Sequence, residues 1–346
     1  MLAAFLVAAA GCASAAAADE ALLRHYPMVL AHDAATTYMR PPPPAHLMDT
    51  LLFNWTRTQP AGGLGTLLDC GARAFDWRPY LSDDGRLVMH HGDVVVRYPM
   101  ASAVAELTAW LGDHDDELVV MYVSHCDEAA CAGAMALLEE AGAAVVDGDD
   151  CRRVLPRLTV AEARARGRLP GGGSLLAVGG GCVQENYDPT QTCCGLGAAG
   201  SPLPWDGLSV GAQRAVLAGA VLAAEAAGAP DDAHCCDDVG GGRMAAFERL
   251  MRSLDAVAGE RAPHPPATAL SEAQAIWQES DASVVMGVLR RSSLLNDERT
   301  SGLNAEIARR VRLGEWPKLG LVLLNNVCDD GPEVAAALAA RGAEDV

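Results

Sequence analysis

The sequence predicts an α/β fold built on a parallel sheet. Three observations predict it. Short apolar runs recur along the chain, at Pro27–Ala31, Glu117–Ser124, Ser174–Val178 and Leu319–Asn325, and such runs read as strands covered on both faces. Longer segments with helical spacing lie between them. Polar groups collect at the carboxyl ends of the runs: His32-Asp33, Asp76 with Arg78, His90-His91, Ser124-His125 and Asn325-Asn326. In a closed barrel of parallel strands those ends share one face. A doubly wound sheet is the other architecture the alternation allows.

Taken in order, the first strand is Pro27–Ala31, which delivers His32-Asp33. Pro41–Pro44 is a stiff extended loop. Asn54–Gly65 is rich in turn residues, and Leu64–Cys70 is a short helix. Gly71–Asp93 then reads as strand, turn, strand, with Ser82-Asp83-Asp84-Gly85 as the turn. Its first half carries Arg73, Asp76 and Arg78, and its second ends on His90-His91. A buried strand bearing such groups is costly unless they are paired or used.

Ser102–Leu111 is an amphipathic helix with Ser102 as its cap. The strand Glu117–Ser124 delivers His125, and Glu128–Ala141 is a helix stopped by Gly142. Asp147–Asp150 is a solvated turn without EF-hand spacing. Thr159–Arg166 is a short helix, and Ser174–Val178 is a strand running out into Gly179-Gly180-Gly181. That glycine run lacks a Walker lysine and the spaced dinucleotide fingerprint, so it is a strand exit. Cys182–Pro204 is a long loop without periodicity.

Leu208–Ala227 and Arg243–Ala258 read as helices, and Ala262–Pro266 is a Pro-rich connection. Val284–Leu289 is a strand, Ser292-Ser293 and Asn296-Asp297 are loop caps, and Leu303–Val311 is a helix. The strand Leu319–Asn325 and the helix Val334–Arg341 close the chain. No internal repeat or domain linker interrupts the rhythm, so residues 19–346 read as one domain.

Half of the 346 residues are hydrophobic, which suits a globular chain with a substantial core. Lys318 is the lone lysine among 26 basic residues, a bias toward Arg that says little about function. A net charge of −19 argues against nucleic acid and against electrostatic docking to anionic membranes, leaving at most peripheral contact with a bilayer. Residues 1–18 read as a secretory signal, an apolar run followed by small residues, although the usual basic start is missing. A lipoprotein site at Val7–Cys12 is a poorer reading because Ala9 stands where Leu is usual.

Eleven cysteines fit export. Cys12 leaves with the signal and ten remain to pair. A zinc cluster around His234-Cys235-Cys236-Asp237 is the competing reading, disfavoured because adjacent cysteines rarely both bind one zinc and no Cys-x-x-Cys pair occurs. The six tryptophans read as packing residues, with Trp205 in its Pro-flanked loop the one placed to line a pocket.

If His32, Asp33, Asp76, Arg78 and His91 meet on one face, the chemistry is specific. Two histidines act as base and acid near neutral pH. An arginine fork matches phosphate oxygens, and carboxylates hold imidazole tautomers. This set suits in-line cleavage of a phosphodiester. Each signal alone has a plain structural reading: a capped turn at His32-Asp33, a salt bridge at Asp76 and Arg78, one core and one surface residue at His90-His91. Their joint placement at strand ends favours a site.

Ala31-His32-Asp33-Ala34-Ala35-Thr36, Gly71-Ala72-Arg73-Ala74-Phe75-Asp76-Trp77-Arg78 and Asp83–Gly92 resemble, in order and spacing, the X-domain of phosphatidylinositol-specific phospholipases C, best over residues 28–93. The resemblance implies a distorted TIM (β/α) barrel, incompletely closed. It implies His32 as general base on the inositol 2-hydroxyl, His91 as general acid toward the diacylglycerol oxygen, and Asp33 and Asp76 as supporting carboxylates. Arg78 stands where metal-independent bacterial members have Arg and eukaryotic members an acidic calcium ligand, which implies no metal and no cofactor. The expected substrate is a phosphodiester such as phosphatidylinositol or another phospholipid, and the expected enzyme a secreted monomer.

Two departures go with it. The last strand should deliver an Asp to orient the base, and here it delivers Asn325. The middle strands should supply Lys and Arg to the substrate, and here they offer only His125 as a contact. Two alternatives follow: a secreted binding protein on the same barrel with weakened catalysis, and a two-histidine nuclease, which the acidic chain disfavours.

Overall fold

The structure is a computed structural model that describes residues 19–41, 53–187, 209, 211, 215, 242–278 and 293–342. Eight strands form one parallel sheet. In chain order they are β1 (Met28–Ala31), β2 (Ala74–Trp77), β6 (Leu118–Val123), β7 (Ala144–Val146), β8 (Ser174–Gly179), β9 (Val183–Gln184), β10 (Leu270–Gln274) and β11 (Leu321–Leu324). Their spatial order is β7-β8-β6-β2-β1-β11-β10-β9.

That order fixes the curvature. β8 and β9 lie toward opposite ends of the sheet, yet only the turn Gly180–Cys182 separates them in sequence. Three residues span roughly 10–13 Å even when extended. The sheet therefore curls until its two edges approach, giving a barrel-like sheet that stays open between them.

Nine helices are described: α1 (Gly63–Asp69), α2 (Met100–Gly112), α3 (Glu128–Glu140), α4 (Asp150–Arg153), α5 (Val160–Arg166), α6 (Gly242–Ala258), α7 (Leu294–Ser301), α8 (Leu303–Arg312) and α9 (Gly331–Gly342). Side chains alternate across each strand, and two cores result. Val29, Ala31, Phe75, Trp77, Met121 and Leu324 pack outward against residues of α1, α2, α8 and α9. Leu30, Ala74, Val120, Leu176 and Leu323 point inward, with Leu155, Leu158 and Val160 packed against them. The outward core is where most of the burial energy lies, since each fully buried Leu or Phe contributes about 1.5–3 kcal/mol.

Most predicted elements recur with ends shifted by a residue or three, as ladder and helix ends require. Four differences are physical. The helix α2 starts at Met100 behind Pro99, and Ser102 is not its cap; Pro99 sets the extended backbone there instead. Thr159, by contrast, makes a full capping box with Glu162. Asp150 leaves the predicted solvated turn to open the single helical turn α4. The strand β10, Leu-Ser-Glu-Ala-Gln, is absent from the sequence reading because it is half polar.

The fourth difference concerns His90-His91. They do not end a strand of the parallel sheet. Pro79–Leu81 (β3), Leu87–His91 (β4) and Val94–Val96 (β5) form a separate three-stranded antiparallel sheet in the order β3-β4-β5. The chain reverses at Gly85, whose φ of 75° suits glycine, and so short a connection makes an antiparallel hairpin, because a parallel pair needs a long crossover.

Three disulfides are present among the described residues: Cys70–Cys328, Cys126–Cys131 and Cys151–Cys182. This bears out pairing for six of the cysteines. The predicted signal, Trp205, the helix Leu208–Ala227 apart from residues 209, 211 and 215, the His234 cluster and the strand Val284–Leu289 lie outside the described residues. No described helix is long and apolar enough to cross a membrane.

Candidate active site

The carboxyl ends of β1, β2, β6 and β11 lie level, because Ala31 pairs with Leu324 and Phe75, and Trp77 pairs with Val123. The next residues of each strand therefore share a rim. His32 donates its backbone N–H to the Leu324 carbonyl at 3.1 Å. Gln59 ties the same two strand ends together, donating from Nε2 to the carbonyls of His32 at 3.0 Å and Leu324 at 2.8 Å.

Asp33, His125 and Asn326, which follow β1, β6 and β11, all adopt left-handed backbone, with φ of 42°, 51° and 47°. Non-glycine residues there cost of order 1 kcal/mol each and cluster where geometry is over-determined. For Asp33 the holding bond is visible. Its backbone N–H donates to Oδ2 of Asp76 at 3.1 Å.

His32, Asp33, Asp76, Arg78 and His91 converge. Arg78 Nε lies 2.9 Å from Asp33 Oδ1, and its Nη2 lies 2.8 Å from Asp76 Oδ2 and 3.3 Å from His32 Nε2. Asp33 Oδ2 is 3.0 Å from His32 Nε2 and 3.2 Å from His91 Nε2. One buried carboxylate thus touches both imidazoles. His91 reaches it from the antiparallel sheet, and its Nδ1–H donates to the Thr56 carbonyl at 2.7 Å.

The electrostatics separate the two ends of the cluster. Burial, opposed by Asp33, pulls the His32 pKa below its usual value and favours the neutral ring. Burial works against ionised Asp76, but the Arg78 guanidinium and His32 hold its carboxyl down at about 2. Arg78 in turn is held cationic by Asp76 and Asp33 against its own burial.

His32, Asp33 and Asp76 each bring a ligand-type atom within 4.8 Å of the others, so these three could hold a cation. Arg78 lies against both carboxylates and brings positive charge to that same point.

Asn325 is buried, and its Oδ1 lies 2.8 Å from His32 Nδ1. Behind it, Asn325 Nδ2 donates to Glu298 Oε1 at 2.7 Å. His125 sits beside the cluster, and its Nε2 lies 3.0 Å from Glu185 Oε1. That bond raises the His125 pKa and lowers that of Glu185, which also accepts from the Tyr122 hydroxyl. His90 stays out of the cluster; its ring nitrogens meet the carbonyls of Gly92 at 2.8 Å and His125 at 2.7 Å.

Glu185, Glu272 and Glu298 are acidic groups near the cluster that the sequence reading missed. Glu272 and Gln274 share the inward face of β10 with Leu270 by alternation, and Gln274 donates to Glu272 at 2.7 Å. Burial lifts the Glu272 carboxyl to about 8. The inner barrel is thus apolar at the amino ends of its strands and polar toward the rim.

No protein-family model and no curated protein matches the sequence. Solved structures do match in fold. A His-to-Tyr mutant of the phosphatidylinositol-specific phospholipase C from Staphylococcus aureus is 13% identical, with a TM-score of 0.52 over 92% of this chain and 93% of that one. A pentafluoro-Phe form of the same enzyme is 13% identical, with a TM-score of 0.54 over 92% of this chain and 94% of its own. The fold of this chain is that of a phosphatidylinositol-specific phospholipase C, a TIM-like barrel incompletely closed.

Proposed function

We propose that the chain is a secreted phosphodiesterase of the phospholipase C type, cleaving a phosphodiester such as phosphatidylinositol without a metal. The observation that carries the reading is Asp33, whose carboxylate lies against two imidazoles and a guanidinium within 3.2 Å. Those are the base, acid and anion-binding groups such a cleavage needs.

In this mechanism His32 Nε2 takes the proton of a headgroup hydroxyl. The hydroxyl oxygen forms a new bond to phosphorus. The bond from phosphorus to the lipid oxygen breaks, and His91 Nε2 protonates that oxygen. Arg78 donates to the phosphoryl oxygens, on which negative charge builds. The products are a cyclic phosphate and a free alcohol, and the proton count balances once His32 returns its proton to His91 through water.

His125 and Trp205 are proposed to contact the headgroup. The phospholipase neighbours include structures described as probing membrane binding, in keeping with a peripheral encounter with a bilayer. Pairing of cysteines supports an oxidising, extracytoplasmic location.

A second reading rests on Asn325. An amide there gives a developing imidazolium no formal charge, which favours a binding protein with weakened catalysis. One experiment decides between them. Purified protein is incubated in chelator with phosphatidylinositol and simpler phosphodiesters, and products are read by phosphorus NMR. A cyclic phosphate supports the enzyme, and no turnover of any diester supports the binding protein.

A further inference from the structure

The sequence reading leaves a gap behind His32, where an acid was expected and Asn325 stands. A neutral Asn can face an imidazole with either its carbonyl or its NH2. Only the carbonyl accepts the Nδ1 proton and leaves the Nε2 lone pair for chemistry. Nothing in Asn325 itself selects between them.

The selection comes from α7. Glu298 is 1% exposed, and its Oε1 accepts the backbone N–H of Trp277 at 2.9 Å and Asn325 Nδ2 at 2.7 Å. An acceptor there requires Asn325 to present its NH2 to Glu298 and hence its carbonyl to His32. Asn304 fixes the same backbone, donating from Nδ2 to the carbonyls of Asn325 at 3.2 Å and Asp329 at 2.8 Å. We propose that Glu298 is a positioning residue for His32: through Asn325 it fixes the Nδ1-protonated tautomer and so keeps Nε2 as the basic nitrogen.

The role needs an acceptor more than a charge. Burial, aided by Asp297 and Asp329, lifts the Glu298 carboxyl to about 8, and its Oε2 is buried without a hydrogen-bond partner. With the proton on Oε2, Oε1 still accepts both bonds. The charged and titratable groups acting on His32 itself are Asp33, Arg78, Asp76 and His91, and none of them touches Nδ1. Control of that nitrogen therefore runs through Asn325 alone among the described residues.

The inference rests on His32 being the base, yet its first test needs no turnover. Nitrogen-15 NMR of the imidazoles, with His32 assigned from the spectrum of His32→Gln, reads the tautomer directly. Nδ1 protonated is expected in the neutral ring, and Nε2 protonated overturns the proposal. Glu298→Met removes the acceptor, and the expected results are a switch of the His32 tautomer and a loss of ~10²-fold or more in kcat. Glu298→Gln, which keeps an acceptor oxygen, should recover most of that loss.

The double variant Asn325→Asp with Glu298→Met should also recover it, because a carboxylate accepts from Nδ1 whichever way it turns. A merely structural role for Glu298 predicts no rescue by Asn325→Asp, and that result would sink the proposal. If Glu298→Met does not fold, the wild-type tautomer decides. If the protein turns over no phosphodiester, the tautomer measurements still stand, so failure of the enzyme reading is separable from failure of this one.

Discussion

The side-chain carbonyl of Asn325 stands 2.8 Å from Nδ1 of His32. The contact supplies orientation without a formal charge. Burial pulls the His32 pKa below its ordinary 6.5, so the acid limb of kcat/KM is expected below that value. Asn325→Asp should move the limb upward, because a carboxylate at Nδ1 favours imidazolium. Glu298, lifted to about 8 by burial, can carry a proton and donate it to the new carboxylate. A pH–rate profile of the two proteins checks the direction. An acid limb that stays put would show that His32 is not the titrating base.

His32→Ala and His91→Ala are each expected to lower turnover by ~10²–10⁴-fold with the fold intact, the range a positioned acid or base supplies. Circular dichroism checks the fold and phosphorus NMR the turnover. Both rings touch Asp33, so their losses should not add. The double variant should sit close to the worse single one, as groups acting as a unit do.

Arg78 is the residue on which the metal-free reading rests. Its guanidinium lies across Asp33 and Asp76, two of the three groups that could otherwise hold a cation. Activity should persist in chelator. Arg78→Lys should cost far more than a conservative change, because the fork that spans two carboxylates cannot be copied by one ammonium. Activity lost on chelation and restored by calcium would reverse the assignment.

How much of this was legible before the structure follows from what a linear pattern can encode. His32, Asp33 and Asn325 were legible because each ends an apolar run, and the alternation of runs with helical segments gave the parallel sheet. His91 was assigned to the wrong sheet: β4 looks like any short apolar run, and only the pairing of Leu81 with Leu87 shows a hairpin. The strand β10 was hidden because two inward positions, Glu272 and Gln274, are polar and are buried only by the long-range closure of the barrel. Glu298 was hidden for a related reason. Asn296-Asp297 beside it reads as a cap, and Ser293 is indeed the cap of α7, accepting from the Asn296 N–H at 3.2 Å. An acid one residue further looks solvent-facing until α7 is packed against Trp277 and Asn325.

The buried acids also set how stability varies with pH. Glu272 and Glu298 are both lifted from 4.5 to about 8 in the fold. A carboxyl with a raised folded pKa holds its proton in the native state where the unfolded chain has lost it. Stability from these two groups is therefore fully present below about 4.5 and declines as pH rises toward 8. Asp76 acts with the opposite sign, since its carboxyl is held at about 2, below its usual 3.8. It contributes stability above 3.8 that is lost as pH falls through 2. His32, with its lowered pKa, weakens the fold as pH drops below 6.5. Maximum stability is thus expected in mildly acidic solution, with a decline toward pH 8. Glu272→Gln removes one source of that decline and keeps a partner for Gln274. Thermal melts of the two proteins from pH 5 to pH 9 check it. The variant should lose less melting temperature across that range than the wild type, and parallel curves would mean that Glu272 is ionised in the fold throughout.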